Sequence, residues 1–213
     1  MERWASFDCY GTLIDWDGGV RAELVRVFGE EHADALLERY HEIEPELQRD
    51  GTASYRGVLT ESMRRLGAPP GQEHGLAESL ADWRAFPDAR RSLEELRGRG
   101  WRLAILSNTD ADFIAASQVH INVPFDEVVV AQEIGSYKPN HKHWDEFFAR
   151  TNALRDRHVH VGASLFHDVE PANELGLRSV WINRTGELAT VEPTRELSDL
   201  LALPETLDEL VAA

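Results

Sequence analysis

The hydrophobic pattern of the chain changes twice, and this change limits the fold more than any other feature of the sequence. A short apolar segment, residues 2–7, ends at Asp8 and a glycine turn. From about residue 16 to residue 86, apolar side chains recur at helical spacing without a strand pattern. After residue 87, short apolar runs alternate with helical segments. This alternation predicts an α/β fold built on a parallel sheet with helices on both faces.

The all-helical stretch is therefore predicted to be an insertion that follows the first strand. We expect a Rossmann-like core domain formed by residues 1–15 and 87–213, and a helical cap domain formed by residues 16–86. A chain of 213 residues suits one large domain or a domain that carries an insertion. Within the insertion, Pro45 is expected to bend or end a helix, because proline cannot donate a helical hydrogen bond.

The charge balance excludes several classes of partner. The sequence has 22 Lys and Arg residues against 38 Asp and Glu residues, a formal net charge of −16. The phosphates of nucleic acids and anionic membrane surfaces would repel such a chain, so we predict neither partner. No apolar run reaches the roughly 18–20 residues that a membrane span requires. The oligomeric state is left open, a homodimer included.

The start of the chain and its cysteine content bear on the cellular compartment. Residues 1–4 lack the basic and apolar pattern of a signal peptide. Cys9 is the single cysteine, so no intramolecular disulfide can form, which is typical of a reducing compartment. A cytoplasmic location is therefore the expectation.

Polar side chains follow four of the predicted strands at the point where each strand ends. They are Asp8 after the first strand, Ser107 and Asn108 after the second, Lys138 in the loop after the third, and Asp168 after the fourth. In open α/β sheets, ligands bind beyond the carboxyl ends of the strands. Two carboxylates, a lysine and a hydroxyl that converge there form a catalytic set. A lysine between two carboxylates keeps both ionised, and an ionised, partly desolvated aspartate can act as a nucleophile.

Each of these residues alone also has a structural explanation. Aspartate and serine after a strand often cap a helix, and a lysine before proline in a loop is commonly a solvated surface residue. The coincidence of all of them at one edge of the sheet favours a catalytic site over these explanations.

The segments that carry these residues resemble the four motifs of the haloacid dehalogenase superfamily. The matching segments are Asp8-Cys9-Tyr10-Gly11-Thr12-Leu13, Leu106-Ser107-Asn108, Tyr137-Lys138-Pro139 and Asp168. Their order and spacing follow those of the family, and the predicted helical insertion corresponds to the family's cap. The resemblance implies the same α/β core and a hydrolytic enzyme.

Two positions place the chain closest to the 2-haloacid dehalogenases within this superfamily. Superfamily phosphatases carry a second aspartate, two residues after the nucleophile, as a general acid and base, where this chain has Tyr10. Their magnesium site usually includes an acid where Ala163 stands. Tyr10 is the residue of the 2-haloacid dehalogenases, which use no metal, because halide leaves without a proton. The resemblance therefore implies no metal and no cofactor.

The resemblance assigns five residues to catalysis. Asp8 would attack C2 of a small 2-halocarboxylate, expel halide and form an aspartyl ester that water hydrolyses. Thr12, Ser107 and Lys138 would position the Asp8 carboxylate and the carboxylate of the substrate. Asp168 completes the catalytic residues.

The resemblance also assigns residues to substrate binding. Asn108 and an arginine of the cap, Arg39 in the matching region, would cradle the halide. Tyr10 and Tyr40 would form the walls around the substrate. A solvated position on the helix surface explains Arg39 equally well. Because the whole chain is acidic, a small anionic substrate needs a local positive site, for which Lys138 and Arg39 are the candidates.

The chain departs from the 2-haloacid dehalogenases mainly around the fourth motif. The family has serine where Ala163 stands, asparagine where Leu165 stands and tyrosine where Trp144 stands. His167 replaces an aromatic residue, and both Trp144 and His167 are expected to contact the substrate. These positions orient the lysine and the hydrolytic water, so the first half-reaction is better supported than the second. Ser164 or His167 could take over this role, His167 as a base for water.

Two further functions stay open at this stage. One is a superfamily phosphatase, or another hydrolase with an altered site, which Tyr10 disfavours. The other is a catalytically weak binding member that keeps the fold, which Ala163 and Leu165 keep open.

Histidine pairs and an acidic stretch have simpler explanations. His141–His143 and His158–His160 have the spacing at which a strand presents two ligands on one face, but no third ligand accompanies either pair. No metal site is predicted. The acidic stretch from Glu38 to Glu46 is interpreted as a solvated surface of the insertion.

Overall fold

The structure, a computed structural model, describes residues 2–49, 51 and 53–213. Its strands are β1 (Arg3–Phe7), β2 (Trp101–Ser107), β3 (Glu127–Val130), β4 (His158–Gly162), β5 (Arg178–Ile182) and β6 (Arg195–Leu197). Its α-helices are α1 (Trp16–Phe28), α2 (Glu30–Gln48), α3 (Tyr55–Arg65), α4 (Gly75–Ser79), α5 (Ala89–Gly98), α6 (Ala111–Ile121), α7 (Ala131–Ile134), α8 (Lys142–Thr151), α9 (Glu170–Glu174) and α10 (Leu203–Leu210). Short 3₁₀ turns cover Leu80–Asp82 and Arg155–Arg157, and a π-helical turn covers Leu165–Val169.

The strands of the described residues form one parallel sheet in the order β3-β2-β1-β4-β5-β6. β1 lies in the middle, where Phe7 pairs with Ile105 on one side and with Val161 on the other. All residues of β1 are buried, as expected of a parallel strand that is covered on both faces. The predicted α/β fold with a parallel sheet is confirmed.

Alternate residues of β2 show how the two faces of the sheet are covered. Leu103 and Ile105 belong to a large buried cluster that continues into the helices of residues 16–86. Ala104 and Leu106 point to the opposite face and join a smaller cluster around Trp144 of α8. The sheet therefore has a separate apolar core on each side.

The helices α1 to α4 lie between two segments that are far apart in sequence and adjacent in space, residues 13–14 and residues 85–86. We call residues 16–86 the helical insertion. The Ile14–Ala85 bridge is antiparallel, and Phe86 N donates to Leu13 O at 2.9 Å. The entering and leaving segments are thus hydrogen-bonded to each other at the carboxyl end of β1. The division of the chain into a core domain and a cap domain stays a prediction.

A core carboxylate anchors the third helix of the insertion. Asp110, which directly precedes α6, accepts hydrogen bonds from Tyr55 N and Arg56 N, both at 2.9 Å. These two amides belong to the first turn of α3, whose N–H groups have no partner within the helix. The buried Asp110 carboxylate therefore completes a helix of the insertion from the core side.

Two elements differ from the expectation. α2 continues through Pro45 to Gln48 instead of ending there, because burial of Ile43 and Gln48 holds the helix beyond the one hydrogen bond that proline removes. β6 adds an edge strand after β5, although the sequence pattern indicates residues 179–182 as the last strand and a partly helical tail from Glu192; α10 confirms the helical part. Among the described residues, no helix combines the length and apolar character needed to cross a bilayer.

Candidate active site

The carboxyl ends of the central strands bring the predicted catalytic residues together. Asp8 follows β1, Ser107 is the last residue of β2, and Asp168 lies in the π-helical turn after β4. Lys138 reaches the same point from the loop between α7 and α8. All four side chains line one cavity.

Hydrogen bonds fix both oxygens of the Asp8 carboxylate. Lys138 Nζ donates to Oδ1 at 2.8 Å, and the Thr12 hydroxyl donates to Oδ2 at 3.0 Å. Thr12 is held in turn, because its Oγ1 accepts from Ala163 N at 2.9 Å and its carbonyl accepts from Arg184 at 3.0 Å. Asp8 therefore has a defined orientation toward the cavity.

Lys138 lies between two carboxylates. Its Nζ is 2.8 Å from Asp8 Oδ1 and 2.7 Å from Asp168 Oδ1, and the residue is 2% exposed. Burial alone would lower the pKa of Lys138, but the two carboxylates outweigh burial and raise it. The lysine is therefore charged. When both aspartates are ionised, this buried group of three carries one excess negative charge.

The two aspartates differ in how well their charges are compensated. Burial disfavours ionisation of Asp168, but Lys138 and His160 outweigh burial and hold its pKa well below the ordinary value. Burial raises the pKa of Asp8, and Lys138 offsets this only in part. Asp168 is thus the stably ionised member of the pair. Asp8 is a poorly solvated carboxylate, which is the state that favours nucleophilic attack.

Two donors remain for an anionic ligand. Ser107 Oγ is buried, lines the cavity and has no hydrogen-bond partner among the described residues. An ammonium group has three N–H donors, and Asp8 and Asp168 take two of those of Lys138. Because a buried polar group without a partner costs free energy, Ser107 and Lys138 form a site that a carboxylate group can complete.

Tyr10 forms a wall of the cavity and directs its hydroxyl into the protein. The hydroxyl is hydrogen-bonded to Ser117 Oγ of α6 at 3.0 Å. The ring stacks on Tyr55 with a centroid distance of 6.1 Å and meets the edge of Trp83 at 5.9 Å. Burial raises the pKa of Tyr10. The residue therefore contributes apolar surface at the position where the phosphatases carry their general acid.

Asn108 links the core to the helical insertion. Its Oδ1 accepts from Lys138 N at 2.6 Å, while its Nδ2 donates to Lys138 O and to Gln48 Oε1, both at 3.0 Å. Gln48 Nε2 donates to Glu44 in turn. Both Nδ2 hydrogens of Asn108 are therefore engaged. Asn108 lines the cavity, but it has no free amide hydrogen for a halide and bridges the core to the insertion instead.

Glu44 overturns the interpretation of residues 38–46 as a solvated surface. It is 5% exposed, lines the cavity, and burial raises its pKa to about 7. Helix α2 places it one turn after Tyr40 and one turn before Gln48, so these three share the buried face. The glutamates around Glu44 in the sequence do not share this face, which is why the acidic stretch concealed it.

Three predicted substrate contacts lie outside the cavity. Arg39 is exposed on α2, because the helix buries the adjacent Tyr40 and turns Arg39 to solvent. Tyr40 packs on Trp16 at 5.6 Å inside the insertion. Trp144 lies on the inner face of α8 in the second core, where its ring meets His160 at 5.0 Å. The structure therefore places none of the three against a ligand in this cavity.

His167 lines the cavity beside Asp168. Its backbone N–H donates to Ser164 Oγ at 3.0 Å, and its Nδ1 lies 3.2 Å from the same oxygen. Burial lowers the pKa of His167 to about 4. The ring is therefore neutral at neutral pH, and Ser164 determines its orientation.

The cavity has a volume of about 820 Å³, within the usual range for ligand pockets. Its apolar wall includes Tyr10, Trp16, Tyr55, Phe86, Leu165 and Ile182. Among the described residues, Lys138 and Arg184 are the lysine and arginine side chains that line it. Arg184 is already paired with Asp88 and stacked on Phe86 at 3.7 Å. Lys138 is therefore the cation that faces the Asp8 carboxylate.

The donor set does not fit the magnesium ion that superfamily phosphatases use. Asp8 and Asp168 already direct one oxygen each to Lys138 Nζ. The side chains of Ala163 and Leu165 offer no ligand atom. Within the part of the chain that the structure describes, no cluster of three or more His, Cys, Asp or Glu residues has metal-binding geometry.

Two residues that are hydrogen-bonded to predicted site residues, Gln48 to Asn108 and His160 to Asp168, were not predicted from the sequence. Gln48 lies four residues after Glu44, and this helical spacing is the signal that pairs them. His160 Nε2 lies 3.1 Å from Asp168 Oδ1. Its alternation with His158 on β4 shows that both rings share one face, but it does not show what they contact.

Comparison with known sequences agrees with the geometry. A family model described as haloacid dehalogenase-like hydrolase matches residues 3–176. The (S)-2-haloacid dehalogenase 4A of Burkholderia cepacia is 26% identical over 215 residues, covering 96% of this chain and 91% of that protein. The glyceraldehyde 3-phosphate phosphatase of Methanopyrus kandleri is 30% identical over 143 residues, covering 63% of this chain and 61% of that protein. Similar proteins thus carry both dehalogenase and phosphatase names.

Comparison with solved structures agrees with the fold. The L-2-haloacid dehalogenase of Xanthobacter autotrophicus superposes with a TM-score of 0.84 at 18% identity, covering 97% of this chain and 98% of that one. The match extends over the sheet and the helical insertion alike. At this identity it establishes the shared architecture.

Proposed function

Because the chain belongs to the haloacid dehalogenase-like hydrolases, we propose that it removes halide from 2-halocarboxylates through a covalent ester on Asp8. The observation that carries this proposal is the pairing of Asp8 with Tyr10. Asp8 is held for attack by Lys138 and Thr12, while the position for a general acid holds a tyrosine whose hydroxyl is bound to Ser117. A leaving group that departs without a proton suits this arrangement.

In the first half-reaction, Asp8 displaces halide from C2. A new bond forms between a carboxylate oxygen of Asp8 and C2, and the carbon–halogen bond breaks with its electron pair on the halide. Ser107 Oγ and the third N–H of Lys138 supply donors for the substrate carboxylate. This contact fixes C2 over Asp8, and the displacement inverts the configuration at that carbon.

In the second half-reaction, water attacks the carbonyl carbon of the aspartyl ester. The bond between that carbon and the substrate oxygen breaks, which releases a 2-hydroxycarboxylate and restores the Asp8 carboxylate. Asp168, ionised and next to Lys138, is the group that can accept a hydrogen bond from the water and orient it for attack. Of the two protons of the water, one passes to the alkoxide oxygen of the departing product and the other is released to solvent as the Asp8 carboxylate is restored.

The size of the cavity is a reason to test substrates larger than 2-chloropropionate. Its volume of about 820 Å³ leaves room for a side chain on C2 that is longer than a methyl group. The aromatic and apolar residues in the cavity lining, Tyr10, Trp16, Tyr55, Phe86, Leu165 and Ile182, offer contacts for an apolar substituent in this room.

Halide release without added metal tests the proposal directly. Both enantiomers of 2-chloropropionate, fluoroacetate and longer 2-chloro acids are incubated with the protein, and free halide is measured. We expect release from one enantiomer, a product of inverted configuration, and no activity in Asp8→Asn. A single turnover in ¹⁸O-labelled water should place the label in the Asp8 carboxylate and leave the first product unlabelled.

A parallel reaction separates dehalogenation from phosphoryl transfer. The same preparation is incubated with p-nitrophenyl phosphate and magnesium, with and without a chelator. Phosphate release that the chelator abolishes, together with no halide release, would identify a phosphatase. Absence of both products would favour a binding protein that keeps the fold.

A further inference from the structure

We propose that His160 is a positioning residue that holds Asp168, and through it Lys138, in place for hydrolysis of the aspartyl ester. This inference rests on the proposed function, because it concerns the second half of that reaction. It assigns a role to a series of buried, hydrogen-bonded side chains that neither half-reaction uses directly.

This hydrogen-bonded series runs from the catalytic group into the interior of the sheet. His160 Nε2 lies 3.1 Å from Asp168 Oδ1, and His160 Nδ1 lies 2.8 Å from Ser6 Oγ. Ser6 Oγ lies 2.8 Å from His158 Nε2. All of these side chains are at most 1% exposed. Three consecutive hydrogen bonds therefore connect Asp168 to residues of β1 and β4.

The chemistry of these groups determines the direction of every bond. Ionised Asp168 only accepts hydrogen bonds, so His160 must donate from Nε2. Burial lowers the pKa of His160, so the neutral ring has a bare Nδ1, which accepts the hydroxyl proton of Ser6. Ser6 then accepts from His158 Nε2. His158 Nδ1 has no partner among the described residues, so the series of hydrogen bonds ends at His158.

This arrangement occupies the side of the site that departs from the 2-haloacid dehalogenases. Ala163 and Leu165 stand where those enzymes have a hydroxyl and an amide, and Trp144 stands where they have a tyrosine. The Trp144 ring packs against His160 at 5.0 Å. His160 thus supplies Asp168 with a second side-chain donor besides Lys138, from a fully buried position on β4.

Asp168 accepts hydrogen bonds on both of its carboxylate oxygens. Lys138 Nζ and His160 Nε2 reach Oδ1, and Ser164 N reaches Oδ2 at 3.2 Å. Loss of the His160 bond would leave Lys138 Nζ as the donor to Oδ1 and Ser164 N as the donor to Oδ2, so the orientation of the carboxylate would be less tightly fixed. The expected consequence is slow ester hydrolysis with little change in halide displacement, since Asp8 keeps its bonds to Lys138 and Thr12.

The protein itself offers a matched control. His158 and His160 are both buried on β4 and both contact Ser6, but only His160 contacts Asp168. Replacement of either by leucine removes a buried histidine from the same strand face. A merely structural role predicts similar effects of the two replacements, whereas a positioning role predicts different ones.

Pre-steady-state halide release measures the difference. His160→Leu should give a burst of about one halide per active site, followed by a steady-state rate about 10- to 100-fold below wild type, as expected for loss of a hydrogen bond to a charged group. Intact-mass spectrometry should show the ester accumulating. His160→Gln, whose amide nitrogen can replace Nε2, should restore most of the rate. His158→Leu should lower the melting temperature without a burst.

Several results would overturn the inference. They are steady-state turnover of His160→Leu at the wild-type rate, slowing of the burst itself without ester accumulation, or equal slowing in His158→Leu. Halide release by the wild type together with any of these would leave the proposed function intact. No halide release by the wild type from any substrate would overturn both.

Tautomer measurement tests the same bond without catalysis, should the leucine variants fail to fold. Nitrogen-15 NMR of labelled histidines in the wild-type protein should show the Nε2–H tautomer for His160 and for His158. In Asp168→Asn the signals of His160 should move more than those of His158. A proton on Nδ1 of His160 would contradict the hydrogen-bond directions and the positioning role.

Discussion

Replacing either aspartate of the site by asparagine removes one negative charge, yet we expect different effects on the free energy of unfolding. The buried group holds two carboxylates and one ammonium, so one negative charge is uncompensated when all are ionised. Asp8→Asn removes that excess. Asp168→Asn removes the carboxylate that Lys138, His160 and Ser164 N all contact.

The magnitudes follow from the contacts. A hydrogen bond to a charged group contributes about 1.5–3 kcal/mol, and loss of one partner from a buried ion pair costs about 3–5 kcal/mol. Asp168→Asn breaks several such contacts and turns an amide N–H₂ toward a donor, so we expect a loss of about 3–5 kcal/mol. Asp8→Asn keeps an oxygen for Lys138 and weakens one bond to Thr12. We expect its stability to stay within about 1 kcal/mol of wild type or to rise.

The dependence on pH has a definite sign. The pKa of Asp8 is raised in the folded state, so the stability that it contributes is present at low pH and is lost as pH rises through that pKa. Asp8→Asn abolishes this loss, so its free energy of unfolding should increase relative to that of the wild type as pH rises. The pKa of Asp168 is lowered, so its contribution is present above the ordinary value and disappears only as pH falls through the folded value.

Urea unfolding of the three proteins at about pH 5 and about pH 8 gives the free energies to compare. Activity is expected to be lost in both variants, so catalysis does not discriminate between them. Destabilisation of Asp8→Asn as large as that of Asp168→Asn at both pH values would refute the charge-excess explanation. So would a stability of Asp8→Asn that falls relative to wild type as pH rises.

Three further substitutions test other parts of the site. Gly162→Ala should abolish steady-state halide release in a folded protein, because its new Cβ would lie 2.3 Å from Asp168 Cγ; normal turnover would show that Asp168 can move freely. Arg39→Ala should leave kcat/KM within about twofold of wild type, as expected of an exposed residue outside the cavity; a tenfold loss would restore Arg39 to the halide site. Gln48→Leu breaks the bond to Asn108 and should raise KM about fivefold with little effect on kcat; an effect on kcat alone would contradict a bridging role.

The fold was predictable where burial on both faces produces a continuous apolar segment. Residues 103–106 are such a segment, and they lie within β2. Residues Arg195–Leu197 form β6 with partly exposed side chains at the sheet edge. Three residues without a periodic pattern do not differ from a loop in sequence, so this strand depends on its neighbour β5.

The site was predictable to the extent that it depends on strand ends. Asp8, Ser107 and Asp168 follow buried strands, and their convergence is a property of parallel sheets. The contributions of α2 depend on the rotation of a helix about its own axis. Packing of the insertion buries Glu44 and exposes Arg39. The apolar residues Ala33, Tyr40 and Ile43 mark the buried face, but residue type does not distinguish a glutamate on that face from the exposed glutamates beside it.

The bond between Asp110 and the start of α3 makes the helical insertion a poor exchangeable module. Two backbone amides of the insertion depend on a side chain from the other part of the chain. A chimera that combines residues 16–86 with a different core keeps these bonds only if an acid occupies the corresponding position. Lineages that lose the acid would have to re-cap the helix from within, so the two segments are expected to diverge together. Shuffling of the insertion between relatives is therefore constrained at a position that takes no part in catalysis.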